Sequence, residues 1–212
     1  LPEKWHGLQD KEERYRKRYL DLIMNPEAKK VFIVKTRVIN AIREFLNEKG
    51  FTEVETPTLQ SLYGGANARP FTTELNALKM KLYLRISNEL YLKRLIVGDM
   101  EKVYEFAKDF RNEGIDATHN PEFTQVEIYE AYRDYNDMMK LCQEIFKYVA
   151  KKILGKTIIE YQGKKINLGK WQKLTMIGAI KKYAKINVEK MQDDELIKFA
   201  AKSGIQLKSH RR

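Results

Sequence analysis

The segment Phe123-Thr124-Gln125-Val126-Glu127-Ile128-Tyr129 carries the densest chemical information in the chain of 212 residues. Side chains alternate between the two faces of a strand, so Phe123, Gln125, Glu127 and Tyr129 share one face while Thr124, Val126 and Ile128 share the other. The second face can pack on helices. The first sets an aromatic ring, a carboxylate and a phenol side by side. A carboxylate with a phenol next to it can receive an ammonium group, whose burial without an acid partner is very costly. The stretch from Val103 to Arg111 shows the same division, with Tyr104, Phe106 and Phe110 pointing one way and Glu105, Asp109 and Arg111 the other. At its end the Arg111 guanidinium can hold a phosphate, and the Phe123 ring offers a flat surface to a heterocycle. The same alternation also fits a solvated outer sheet face with ordinary cross-strand charge pairs, and alternation alone leaves both readings open.

These residues need elements to hold them. The spacing predicts a charged surface helix over residues 10 to 22. A second helix starts at Asn25-Pro26, with Asn as cap and Pro in the first turn. Val31, Val34, Val38, Ile42, Phe45 and Leu46 follow at helical spacing, which predicts one buried face, and Gly50 closes the helix in a left-handed conformation. A short strand over Thr52 to Glu55 stops at Pro57. A glycine-containing loop spans 61 to 70, and strand-like stretches with a turn span 71 to 85. Ser87 is expected to cap a helix closed by Gly98. Strands Val103 to Arg111 and Phe123 to Tyr132 flank a polar loop and are expected to pair as a long antiparallel hairpin. An amphipathic helix follows from Met138 to Leu154. Two short strands come after Gly155, then helices near 175–183 and 193–202. This predicts an α+β fold of helices against a mainly antiparallel sheet. There is no βαβ alternation and no Gly-x-x-x-x-Gly-Lys loop, which argues against the parallel-sheet nucleotide folds.

Composition narrows the class. An apolar share of 43% supports a buried core. No apolar run reaches the ~18 residues of a membrane span. Cys142 is the lone cysteine, so no intrachain disulfide forms and a reducing compartment, the cytoplasm, is expected. The formal net charge of +11 suits a polyanionic partner such as nucleic acid, although a lysine-rich composition alone produces the same figure.

Four segments together resemble a known family. Lys49-Gly50-Phe51-Thr52-Glu53-Val54-Glu55-Thr56-Pro57 resembles motif 1 of the class II aminoacyl-tRNA synthetases. Phe110-Arg111-Asn112-Glu113-Gly114, followed by His119-Asn120-Pro121-Glu122-Phe123-Thr124, resembles motif 2. Gly64 to Phe71 and Leu84 to Leu95 resemble the lysine-specific branch of that class. The resemblance runs from about Leu1 to about Leu154 and continues weakly to the end. It implies a linker and helix over residues 1–25, then the N-terminal part of a class II synthetase catalytic domain over 26–212.

The resemblance also implies roles. Gly65 and Glu89 would meet the α-amino group of lysine. Arg111 would grip the lysine carboxylate and the ATP α-phosphate. Glu113, His119 and Asn120 would line the ATP side, Phe123 would stack on adenine, and Glu127 and Tyr129 would hold the ε-ammonium. The implied reaction joins lysine to ATP as an adenylate, then moves lysine to tRNA(Lys), whose acceptor end would face the loop 112–120. Mg2+ would accompany ATP, and the motif 1 region would form a homodimer. The family's third motif, a Gly-x-Gly-x-Gly-like strand and helix with an arginine for the γ-phosphate, finds no match among the eleven glycines. The chain is therefore expected to hold no metal ligand of its own and to be inactive alone, with the remaining ligands beyond Arg212 and an anticodon-binding barrel before Leu1. Two alternatives stay open: an aspartate- or asparagine-specific relative, for which the acidic Glu127 is unsuited, and a non-catalytic binding or regulatory module derived from a synthetase.

Overall fold

The computed structural model describes residues 7–205, so the first six residues of the expected linker and the last seven of the expected domain lie outside it. The chain divides into two units, one reaching Gly169 and the other beginning at Lys170.

In the first unit, the charged stretch forms two helices instead of one, α1 (Lys11–Arg16) and α2 (Arg18–Met24), separated by Lys17. Asp10 caps α1 by accepting Glu13 N at 2.8 Å. Asp21 is fully buried and accepts Asn25 Nδ2 and Arg14 Nε, both at 2.7 Å, and pairs with Arg18. These partners, Asn25 foremost, hold its carboxyl below the usual range. The Asn25 amide is thereby committed to Asp21 and to Leu8 O and makes no cap bond, contrary to expectation, although α3 (Pro26–Glu48) does begin at the proline. Gly50, at φ +79, closes α3 as expected, with Phe51 N donating to Leu46 O at 3.0 Å. Only the C-terminal half of α3 is covered: Ala41, Phe45 and Leu46 are buried, while Val31 is 67% exposed.

The strands form three small sheets, not one. β1 (Thr52–Glu53) is shorter than expected and pairs parallel with β5 (Lys102–Phe110), which pairs antiparallel with β6 (Glu122–Glu130) over its whole length. β2 (Leu59–Gln60), β3 (Thr72–Leu75) and β4 (Met80–Leu84) form the second sheet in the order β2-β4-β3. The hairpin β7 (Ile158–Tyr161) and β8 (Lys164–Asn167) is the third. Helix α4 (Glu89–Val97) lies between β4 and β5 in sequence, and α5 (Tyr135–Leu154) follows β6. α5 starts three residues before its expected Met138 because Asp134 and Asp137 form a capping box there. The register pairs Tyr104 with Ile128 and Phe106 with Val126 on one face of the β5–β6 ribbon. That face, with Phe45, Leu46 and Phe51, is the core that α3 and α5 cover through Ile42, Met138, Leu141 and Tyr148. Tyr104 and Phe106 are thus packing residues, and the chemistry is confined to the other face.

In the second unit, α6 (Met176–Tyr183) is capped by Thr175, a short 3-10 turn covers Val188–Lys190, and α7 (Asp193–Lys202) begins with a capping box between Gln192 and Glu195. No helix among the described residues is long and apolar enough to cross a membrane.

Candidate active site

The opposite face of the ribbon gathers the polar residues. The register places Glu105 across from Glu127 and Asp109 across from Phe123. Glu127 is held by four donors. Its Oε1 accepts Ser87 Oγ at 2.7 Å, Gln125 Nε2 at 2.6 Å and Asn88 N at 3.2 Å, and its Oε2 accepts Tyr129 OH at 3.0 Å. Burial first, then the neighbouring Glu127 charge, keep the Tyr129 phenol protonated well above its ordinary range. The carboxylate is fixed in orientation, and among the described residues Oε2 is bound only by the Tyr129 phenol. An ammonium approaching that oxygen would meet a preformed acceptor and would displace little.

Ser87 joins this acid to the glycine loop. The expected cap is displaced by one position: Asn88 is the capping residue of α4 but makes no side-chain cap bond, while Ser87 Oγ accepts Glu89 N at 3.1 Å. Gly65, at φ +84, lies against the same serine. A Cβ there would come within 2.7 Å of Glu89 Cβ and 2.8 Å of Ser87 Oγ. Only glycine fits this conformation and this contact. Gly65, Glu89 and Glu127 are therefore brought around Ser87. Glu89 is itself paired with Lys93 Nζ at 2.6 Å.

Beneath this layer lies a buried ion cluster that sequence reading did not single out. Arg85, 5% exposed, donates through Nη1 to Glu105 at 2.7 Å and to Thr56 O at 3.0 Å, and its Nε sits 3.3 Å from Asp109 Oδ1. Asp109 is wholly buried, and neither of its oxygens has a hydrogen-bond partner. Burial, opposed by Arg85 and reinforced by Glu127 and Glu105, raises its carboxyl to about 6. Asp109 was readable only as one of the alternating charges and Arg85 only as part of a family-like segment, since their convergence depends on where the residue after β4 meets the end of β5, Phe110 N donating to Arg85 O at 2.9 Å.

Arg111 leads from the acid centre to the loop. Its guanidinium lies 5.0 Å from the centre of the Phe123 ring, and Nε and Nη2 reach Ile86 O at 3.4 Å. Beyond it opens a cavity of about 560 Å³, lined by Arg111, Glu113, Asp116, His119, Asn120 and Phe123 among others. All five residues expected on the ATP side thus line one space. Glu113 Oε1 accepts Arg69 N at 3.3 Å, and Asn112 N donates to Arg69 O at 2.7 Å, so the glycine loop and this loop are tied together. His119 is exposed, with Nδ1 2.8 Å from Asp116 Oδ2. Asp116 accepts the Thr118 and His119 amides as well, and its carboxyl is held far below the usual range, the Thr118 amide leading. The arrangement offers a cationic floor, an aromatic wall and an open mouth, which suits a nucleotide, and the half-buried Glu127 carboxylate further along the ribbon suits a small cation. Among the described residues, no group of three or more His, Cys, Asp or Glu side chains could hold a metal ion.

The family model described as tRNA synthetases class II (D, K and N) matches residues 10–208, and the chain belongs to that family. Within it, the chain is 57% identical over 200 residues to a lysine–tRNA ligase of Methanoculleus marisnigri, covering 94% of this chain and 39% of the relative. It is 55% identical over 210 residues to that of Thermoanaerobacter pseudethanolicus, covering 98% and 42%. For a lysine–tRNA ligase of Clostridium botulinum the identity is 55% over 195 residues, covering 92% and 39%. The chain spans about two fifths of the length of these relatives.

Proposed function

We propose that this chain supplies the amino-acid pocket and the adenine wall of a lysine–tRNA ligase. The observation that carries this reading is Glu127, a carboxylate oriented by four donors beside Tyr129. The names of the similar proteins support it. In this reading Glu127 and Tyr129 hold the ε-ammonium, Gly65 and Glu89 face the α-amino group, and Arg111 draws the lysine carboxylate and the ATP α-phosphate together. Glu113, His119 and Asn120 flank the phosphates, and Phe123 stacks on adenine. The lysine carboxylate oxygen forms a bond to the α-phosphorus as the bond to pyrophosphate breaks. A terminal ribose hydroxyl of tRNA(Lys) then attacks the carbonyl carbon, and AMP leaves with the bond electrons. No side chain acts as nucleophile. These residues act by alignment and by placing the Arg111 charge where the phosphoryl oxygens develop negative charge. Mg2+ enters as the MgATP substrate. The loop 112–120 faces the tRNA acceptor end, the exposed apolar half of α3 forms a homodimer, and the protein works in the cytoplasm.

The family model also covers aspartate and asparagine enzymes. Glu127 argues against both, since an acid at that position repels a carboxylate and gives an amide no charge partner. Amino-acid-dependent pyrophosphate exchange by the full-length protein tests the choice. Exchange with lysine and none with aspartate or asparagine is expected, and equal exchange with aspartate rejects the reading.

A further inference from the structure

We propose that Asp109 is a specificity-determining residue for lysine: a third anion, itself wholly buried, that leaves the charge cluster around Arg85 one positive charge short until a cationic side chain docks on Glu127. The inference rests on the lysine reading above. Among the described residues, buried Arg85 pairs with buried Glu105 and Asp109, and the half-buried Arg111 and Glu127 act on Asp109 through their charges, two cations against three anions. Glu89, which faces Tyr129 from α4, is already paired with Lys93 and adds nothing to the count. An unbalanced buried charge is costly.

Asp109 bears that cost. Its carboxylate is wholly buried and accepts no hydrogen bond, and the Arg85 Nε proton nearest to it is directed to Lys108 O at 3.0 Å. A carboxylate without donors in such a place holds a proton more tightly than usual, in keeping with its value of about 6. An ammonium arriving at Glu127 restores the balance and releases that proton. Lysine binding and deprotonation of Asp109 are therefore linked, each favouring the other. An uncharged side chain of the same length brings no compensation, so Asp109 widens the gap between lysine and norleucine.

The test is calorimetry of lysine and norleucine binding by the full-length protein, from pH 5.5 to 8.0, in buffers of different ionisation enthalpy. With a free-state value of about 6, linkage predicts lysine binding about fourfold weaker at pH 5.5 than at 7.5. It also predicts release of roughly half a proton per site at pH 6, and almost none at pH 8. Asp109→Asn is expected to abolish the release, weaken lysine at pH 7.5 by roughly tenfold and narrow the lysine-to-norleucine ratio. Lysine binding by the unaltered protein with no proton released at pH 6 overturns the inference, whatever the yield of the variant. Asp109→Asn with unchanged linkage overturns it equally. In both cases lysine still binds and the lysine reading stands; absence of lysine binding at every pH removes both.

Discussion

Glu127 accepts four hydrogen bonds from two segments, residues 87–88 and its own strand β6, so its replacement has two effects. Glu127→Gln removes the charge that would meet an ammonium and puts an amide nitrogen among donors. Stranding a buried cation costs on the order of 3–5 kcal/mol, so kcat/KM for lysine in pyrophosphate exchange is expected to fall by roughly 10²–10³ or more, with KM for ATP little changed. A loss confined to ATP would remove Glu127 from the lysine site. Asp109 makes a separate prediction about stability. Its folded value, about 6, lies above the ordinary 3.8, so the folded state holds the proton more tightly. That contribution to stability is present below about pH 4 and is lost as pH rises through 6. The ionised group therefore weighs against the fold at pH 7.5, and Asp109→Asn is expected to stabilise it by roughly 1–3 kcal/mol there. The gain should vanish near pH 4, as followed by urea denaturation across pH; a destabilised variant at pH 7.5 contradicts this. Stabilisation together with weaker lysine binding would mark a residue kept for function. At this scale Glu127, Tyr129, Phe123 and Arg111 were legible, because alternation within one strand and the motif beside it define them locally. Ser87, Gln125 and Asp109 were not given their partners. Those partners depend on strand register and on where the segment after β4 crosses the ribbon, and neither is written in any single stretch of sequence.

Elements set how tightly these residues are held. Gly65 is fixed by its positive φ and by the contact with Glu89 Cβ and Ser87 Oγ. Gly65→Ala forces the loop away from α4. It is expected to raise KM for lysine at least tenfold and to lower stability by roughly 1–3 kcal/mol. Asp134→Ala serves as the contrast. It removes the capping box of α5, formed among Asp134, Asn136 and Asp137, and is expected to lower stability by about 1 kcal/mol without moving KM for lysine. Parallel changes in both variants would mean that Gly65 acts only through stability. Element types were largely readable: α3, the β5–β6 hairpin, α5 and the two late helices fall where periodicity put them. The errors share one cause. Cap and break positions depend on which distant group claims a side chain, as Asp21 claims Asn25, and short strands such as β1 exist only through a partner far along the chain. The mainly antiparallel pairing expected is found, with β1 and β5 the one parallel pair among the described strands, but the strands divide into three separate groups.

At the scale of the whole molecule, two apolar surfaces of the first unit stand out. A groove of about 590 Å³ runs between α3, β6 and α5, lined by Val38, Ile42, Val126, Ile145 and Val149 among others. The N-terminal half of α3 exposes Val31, Phe32, Ile33 and Val34 in succession, each at least 42% exposed. Four consecutive apolar residues cannot lie on one face of a helix, so two faces of this half are uncovered. One can serve the groove, which Val34 also lines. The other, with Val31 and Phe32, borders α1 and α2 yet stays largely exposed, and apolar surface of this kind marks association. Because a homodimer about a two-fold axis uses the same patch twice, one substitution acts on both sides of the contact. Val31 is the most exposed of the four, at 67%, and it lines no part of the acid pocket or the loop cavity. Val31→Asp should therefore weaken association without disturbing either. The full-length protein is expected to sediment as a dimer at micromolar concentration. The variant should shift toward monomer by at least tenfold in dissociation constant, since each copy places a charge in an apolar contact. A dimer of unchanged affinity would place the interface elsewhere, and a protein that is monomeric throughout would leave the uncovered half of α3 to a different partner.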